Sequence, residues 1–555
     1  MAARNNPIDL LRRRLDAIDN DLLDEAASGR IDRRTFMRQG SLLGLSLPLL
    51  GGVAASFGLV ASPEPARAAT MATPGGTIRV GLTVPAALID PVTIADNGGL
   101  QVLIQTGEFL TVLRPDFTLM PVLAESWTHN TDGSVWTFKL RPNVKFHSGA
   151  TMTADDVIAS IDRLCDPKNA SNALSVFKGI LSPGNSKKVD DLTVAFHLDS
   201  AYGAFPYALS SDNYNCVILP ASYKGDFEHN WDGTGPFKLE KYTPKVGCSF
   251  VRNTAYWGAK ALPDRTEFTF FTDQQPQILA MQGDQLDVLT QVSVSGGQGL
   301  LNDPRFTIIR EHSTAHEQVH MRCDTGPFMD KRVRQALAYT LNRKALVKGL
   351  FRGLAVVGND SPFAAAYPMT NHSIPQRDID LRKAKELLAA AGVPKGFKVT
   401  LTTENYIEIP DYAVLIKDFA KHVGIDITLN VENQSAYYGK AVFGQSDWLD
   451  STLGITDYDH RGVPNVFLRA PLLSDGTWND AHFKNPTYDR LVANYGKSPD
   501  LGGQKALATE IQTLLLDETP IIFGYFYDYL VPTKKGLKGI PPIANRLFLS
   551  QATFG

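Results

Sequence analysis

Between residues 380 and 431 two helical segments each stop on a glycine ahead of a strand. Leu381, Ala384, Leu388 and Ala391 fall at helical spacing, Gly392 and Pro394 stop the helix, and the strand-like VTL follows at 399–401. A second helix then ends at Gly424, and IDITLNV (425–431) begins at once. A helix that stops on glycine and passes directly into a strand lays a helical layer on a sheet, which confines the chain to mixed α/β architectures. TIRVGL (77–82), SVWTFKL (134–140), LTVAFHL (192–198) and TEFTFF (266–271) read as further strands. Thr153 with Asp156 makes a capping-box-like start for a helix whose Val157, Ile161 and Leu164 share one face. Asp330 is expected to cap KRVRQALAYTLNRKALVKGLF, with Val333, Leu337 and Leu341 inward and its Arg and Lys side chains as a solvated face.

At 555 residues the chain exceeds one ordinary core, so two or three domains are expected, with no internal repeat or low-complexity linker to mark them. Lys plus Arg (55) nearly balances Asp plus Glu (58), which offers no phosphate-tracking surface and excludes nucleic acid as an expected partner. Cys165, Cys216, Cys248 and Cys323 are widely spaced without a C-x-x-C pair, which argues against zinc knuckles and thioredoxin-like sites. Buried thiols and one or two disulfides both stay open. His312, His316 and His320 recur at four-residue intervals just before Cys323 and would share a face on a helix or a strand, the arrangement a metal reading needs. Exposed histidines at such a place need no metal, and neither a metal nor a cofactor is assigned. There is no nucleophile elbow, H-E-x-x-H, Walker loop or Rossmann fingerprint, and the acid pairs Asp155–Asp156 and Asp190–Asp191 suit helix starts and turns. No catalytic residue is therefore expected.

The N-terminus carries paired Arg33 and Arg34, then Phe36, then an uncharged stretch from 41 to 63 diluted by Gly, Ser and Ala. It resembles a twin-arginine export signal, and the small-x-small site at 66–68 predicts cleavage after Ala68 or Ala69 and a periplasmic mature protein. Ile8, Leu11, Leu15, Ile18 and Leu22 form an amphipathic helical pattern ahead of it, taken as part of a long leader.

The segment PVLAESWTHNTDGSVWTFKLRPNVKFHSGATMTADDVIASIDRL (121–164) resembles the signature region of the family 5 extracellular solute-binding proteins. GTGPFKLEKY (233–242), RNTAYWG (252–258), PFMDKRVRQALAYTLNR (327–343), DLRKAKELLAAAG (380–392) and FKNPTYDRLV (483–492) are similar to later blocks of that family, in its order. In these blocks Trp127 and Trp136 are expected in the core and His147 in a hydrogen-bonded turn. The resemblance implies a periplasmic-binding-protein type II fold (cluster C), two lobes with an additional decorating domain. By analogy, residues 70–113, 226–312 and 523–555 form lobe I, 114–225 the decorating domain and 313–522 lobe II, with 1–69 as extension and signal. It implies a monomer that captures a short peptide or peptide-like solute between the lobes and delivers it to an ABC permease with separate ATPase subunits. A non-peptide solute, such as an oligosaccharide, an opine-like conjugate or a nickel chelate, is the alternative.

The family's W-x-x-D-Y-like segment matches Gly454-Ile455-Thr456-Asp457-Tyr458, which makes Asp457 the expected partner of a ligand ammonium and Tyr458 its neighbour. Gly454 stands where the family's tryptophan would, which implies loss of an aromatic wall, and Arg461 is placed to clamp a carboxylate. The resemblance places an extended ligand-pairing segment at 94–98, with Ala95 and Asn97 toward the ligand, and an aromatic lining at Tyr437 and Tyr438.

Overall fold

The computed structural model describes residues 75–225, 227–498 and 501–555, together with residues 23–24, 26–28 and 36–37. Arg33, Arg34, the apolar stretch at 41–63, the cleavage site at 66–69 and the amphipathic pattern at 8–22 lie outside the described residues.

Two long antiparallel strands, Phe306–Met321 and Tyr525–Lys534, form the middle of a twelve-stranded mixed sheet. To one side Leu453–Tyr458, Lys398–Glu404 and Asp426–Glu432 follow in that order. To the other come Val288–Leu289, Thr77–Thr83, Arg265–Phe271, Gly247–Arg252 and Phe237–Thr243. The two central strands pair from Phe306↔Lys534 to Glu311↔Tyr529, then slip and resume at Ala315↔Tyr527. Beyond the slip, residues 316–321 pair instead with Leu453–Tyr458. The sheet therefore has two halves joined at a bulge, and helices pack on it around two hydrophobic clusters, each of which draws residues from both halves. This is the two-lobed α/β fold of periplasmic binding proteins.

A separate four-stranded antiparallel sheet orders Ala124–His129, Val135–Leu140, Thr193–His197 and Ser186–Asp190. Trp127 and Trp136 are buried in it; Trp127 stacks on Phe138 with centroids 6.0 Å apart, and Phe138 meets Phe196 edge to face. His147 sits in a turn with Nε2 3.0 Å from the Gly235 carbonyl, and burial lowers its pKa to about 4.

The capping box at Thr153 is present, with its N–H donating to Asp156 at 2.8 Å, and Asp330 caps a helix through Arg332 N–H. That second helix is shorter than the apolar spacing suggested. It runs Lys331–Thr340 and ends at Leu341, because Asn342 turns its side chain to the Ala345 N–H and starts a new helix, Arg343–Phe351. Nor are its cations all solvated. Arg334 is buried and donates to the carbonyls of Phe328 and Glu518, while buried Arg343 pairs with Asp360 at 2.6 Å. The four cysteines are free thiols, three of them buried.

Both glycine stops are conformational. Gly392 has φ +82 and Gly424 φ +87, and Gly396, at φ +77, lies against the latter so closely that a Cβ would sit 1.9 Å from the Gly424 carbonyl oxygen. A Cβ on Gly392 would meet nothing within 4 Å. Gly392→Ala should therefore cost only its left-handed backbone, about 1 kcal/mol, and Gly396→Ala clearly more, about 2 kcal/mol or above. Urea unfolding of both variants checks this; equal losses would contradict the packing argument.

Candidate functional site

The strands of one half run parallel, Lys398–Glu404 beside both Asp426–Glu432 and Leu453–Tyr458. Ligands of open α/β sheets lie beyond the carboxyl ends of such strands. There Glu404, Tyr406, Gln434, Asp457 and Tyr458 gather, and a cavity of about 70 Å³ opens between them and the start of helix Asn97–Thr106 on the other half. Asn545, Tyr214 and Asn172 complete the opposing wall.

Asp457 faces this cavity and is only partly buried. Its strand neighbour across the ladder is Glu317, and Tyr527, from the central strand Tyr525–Lys534, donates its hydroxyl to Asp457 Oδ1 at 2.6 Å. Burial pushes the Asp457 carboxyl well above the usual range, and Glu404 and Asp459 add to the rise while Tyr527 opposes it. Glu404, fully buried, is held by neutral donors: Tyr438 OH at 2.8 Å, Gln434 Nε2 at 2.7 Å and the Asp457 N–H at 3.3 Å. The carboxyls of Asp457 on the cavity wall and of Glu404 behind it are thus supplied only with phenol, amide and backbone donors.

The next turn of chain is neutralised. Asp459 accepts from Tyr529 OH and Asn545 Nδ2, both at 2.9 Å, and pairs with Arg546 at 3.1 Å and Arg461 at 3.3 Å. Burial works against the Asp459 charge, but Arg546 and Arg461 hold its pKa at about 2. Because Asn545 and Arg546 belong to the C-terminal segment, which Gln101 and Gln105 pin to helix Asn97–Thr106, Asp459 ties one wall of the cavity to the other.

Most of the expected site residues converge here. Ala95, Asn97, Tyr438, Asp457, Tyr458 and Arg461 all line the cavity. Arg461 spends Nη1 on Asp459 and on the His460 carbonyl, lies 5.3 Å over the Tyr214 ring, and leaves Nε buried without a well-formed hydrogen bond. Tyr437 turns the other way: its hydroxyl meets Ile455 O at 2.9 Å and Thr456 Oγ1 at 2.7 Å inside the core. The segment at 94–98 is not an open extended edge. Asp96 caps the helix that Asn97 begins, and the Ile94 carbonyl is occupied by Asn172 and Asn215.

Gly454 does not leave an aromatic gap. A Cβ there would lie 2.3 Å from His320 Cε1, so no side chain fits, and Trp448 and Trp478 line the cavity from elsewhere in the chain. The three spaced histidines do not act together. The bulge after Glu311 breaks their alternation; His312 is exposed beside Asp528, His316 lies among Tyr458, Phe467, Phe523 and Phe526, and His320 is buried 3.3 Å from Asp480. Among the described residues no group of three or more His, Cys, Asp or Glu could hold a metal ion. Glu404, Tyr406, Trp448, Trp478, Tyr527 and Asn545 were not expected at the site. The signal for the first two was their place at the carboxyl end of a strand in a helix-strand repeat.

His460 locks the ligand-side turn to the bulge. Its Nδ1 accepts the Thr314 N–H at 3.0 Å, so that nitrogen is unprotonated, and burial, with Arg546 and Arg461, lowers the pKa to about 3 against the pull of Asp459. A folded pKa below the unfolded value gives stability that is full above the ordinary histidine range and lost as pH falls toward the folded pKa. His460→Gln should therefore flatten the loss of stability between about pH 5.5 and about pH 4 by about 1.4 kcal/mol per pH unit, one proton's worth. Urea unfolding across that range measures it; an unchanged slope would contradict a neutral ring.

Comparison with known proteins follows the geometry. The family described as bacterial extracellular solute-binding proteins, family 5 Middle, matches residues 118–468. The glutathione-binding protein GsiB of Pectobacterium atrosepticum is 27% identical over 455 residues, 78% of this chain and 85% of that protein. The dipeptide-binding protein of Escherichia coli is 28% identical over 464 residues, again 78% and 85%. Among solved structures, the ABC transporter-associated periplasmic binding protein DppA from Helicobacter pylori, in complex with peptide STSA, superposes with a TM-score of 0.78 at 22% identity, covering 87% of this chain and 98% of that one.

Proposed function

Since the chain belongs to the bacterial extracellular solute-binding proteins of family 5, we propose that it is exported to the periplasm and there captures an amine-bearing solute, a short peptide or peptide-like molecule, between its two lobes. It hands that solute to a membrane permease driven by separate ATPase subunits, acts as a monomer, and performs no chemistry on what it carries. Arg33 and Arg34 direct export through the twin-arginine machinery, and cleavage near Ala68 or Ala69 frees the mature chain. Among the described residues no helix is long and apolar enough to cross a membrane. Lobe I comprises residues 70–113, 226–312 and 523–555, lobe II residues 313–522, and residues 114–225 decorate the first.

One observation carries the ligand reading. Asp457 is a carboxyl on the cavity wall whose only side-chain donor among the described residues is a neutral phenol, and whose charged neighbours are other acids. An ammonium there would supply the missing cation and relieve that repulsion, so binding energy is concentrated on one atom pair. Two of the relatives above bind glutathione and dipeptides by name, and both ligands carry such an amine. Arg461, a guanidinium on the cavity wall, is the complementary partner for a carboxylate. A non-peptide solute is the second reading, favoured by the size of the cavity: about 70 Å³ admits roughly five water-sized groups. A longer solute needs the halves further apart at the bulge.

Mass spectrometry of solute released by denaturing freshly purified protein should yield an amine-bearing molecule. Asp457→Asn should weaken its binding by about 2–5 kcal/mol, some 30-fold or more by calorimetry. An unchanged affinity would remove Asp457 from the site.

A further inference from the structure

The cationic head of the solute would meet more ring surface than hydrogen-bond acceptors. Tyr438, Trp448, Trp478 and Tyr458 follow one another along one side of the cavity. Successive centroids are 5.3, 6.0 and 6.0 Å apart, and successive planes turn by 77°, 52° and 68°. Rings inclined in this way form a folded screen rather than a flat stack, and π faces attract cations without needing an N–H.

The carboxylate acceptors nearby are largely committed. Both oxygens of Glu404 are taken by Tyr438, the Asp457 N–H and Gln434. Asp459 is filled by Tyr529, Asn545 and the two arginines, and Asp96 Oδ1 caps its helix through Gly99. Asp457 Oδ2 is the carboxylate oxygen beside the rings that receives no donor among the described residues. A primary ammonium brings three N–H donors, each costly to leave unpaired once water is excluded. An alkylated ammonium brings one or none, and its methyl groups suit ring faces. Arg461 lines the same cavity, four residues beyond Asp457, and is the cationic side chain there that suits a carboxylate.

We propose that this site takes an N-alkylated ammonium zwitterion, a betaine-like solute whose tertiary or quaternary head seats against Tyr438, Trp448, Trp478 and Tyr458 beside Asp457. The inference rests on the cavity being the solute site and narrows the solute that enters it. A cationic head beside Asp457 favours the ionised form of that carboxyl, the rings replace the head's hydration shell, and Arg461 holds the opposite end. Preference over the primary amine follows from contact of the alkyl groups with the ring faces rather than from size.

The test uses matched probes that differ only in methylation, glycine betaine against glycine and γ-butyrobetaine against γ-aminobutyrate, titrated by calorimetry into full-length protein freed of bound solute. At least one methylated member should bind tenfold or more tightly than its primary-amine counterpart. Trp448→Ala and Trp478→Ala should abolish that preference, while Trp448→Phe, which keeps a ring, should retain most of it, with thermal unfolding confirming that each variant is folded. Equal or tighter binding of the primary amines overturns the proposal, as does failure of both methylated probes to bind. Binding of dialanine without either betaine overturns it too, yet leaves solute capture at this cavity standing.

Discussion

Everything that positions the site depends on the antiparallel pairing of Phe306–Met321 with Tyr525–Lys534 and on its slip between Glu311 and Ala315. Before the slip the two strands belong to one continuous ladder; after it, the first strand takes Leu453–Tyr458 as its partner and so sets Asp457 opposite Glu317. The second strand contributes Tyr527 to Asp457 and Tyr529 to Asp459. A pair of strands common to both halves thus fixes the carboxyl-bearing wall, while the irregular backbone at 312–314 is where a hinge costs fewest ladder hydrogen bonds. Thr314, inside that irregularity, is held by His460 and by the Arg461 carbonyl, which couples the ligand-side turn to the hinge.

The electrostatics divide along the same line. Asp459 has Arg461 and Arg546 as counter-charges, and these pairs tie the two walls together. Asp457 and Glu404 have neutral donors instead, and burial raises both carboxyls. Carboxyls satisfied only by neutral groups ionise at low cost only when a cation joins them, whereas saturated ion pairs form a latch. The two kinds of carboxylate stand two residues apart on one strand end.

Much of this arrangement was legible in the sequence, because the physics involved is local. The capping box at Thr153, the Asp330 cap and the glycine stops at Gly392 and Gly424 each depend on a few adjacent residues, and each is present. Asp457 could be read from its motif. What could not be read depends on direction or on distant packing. Tyr437 and Tyr438 are neighbours on one short helix, Gln434–Tyr438, so their side chains diverge and only the second reaches the cavity. Asn97 reads as extended chain because nothing local announces that Asp96 caps a helix there. Gly454 suggested a missing wall, but the reason for that glycine is His320 on the neighbouring strand, and the wall comes from Trp448 and Trp478, thirty residues apart and in contact only through the fold. The helix expected over 331–351 breaks because Asn342 satisfies a backbone donor better than apolar periodicity can resist.

Capture by closure of two lobes about the slipped strand pair is the central claim, and small-angle X-ray scattering tests it most directly. Protein stripped of solute by unfolding and refolding would be measured before and after the extracted solute is returned. The radius of gyration should fall on addition, in proportion to occupancy, and the Asp457→Asn variant should show no fall at the same concentration. A solute that binds with full occupancy while the scattering curve stays unchanged would contradict closure about this hinge.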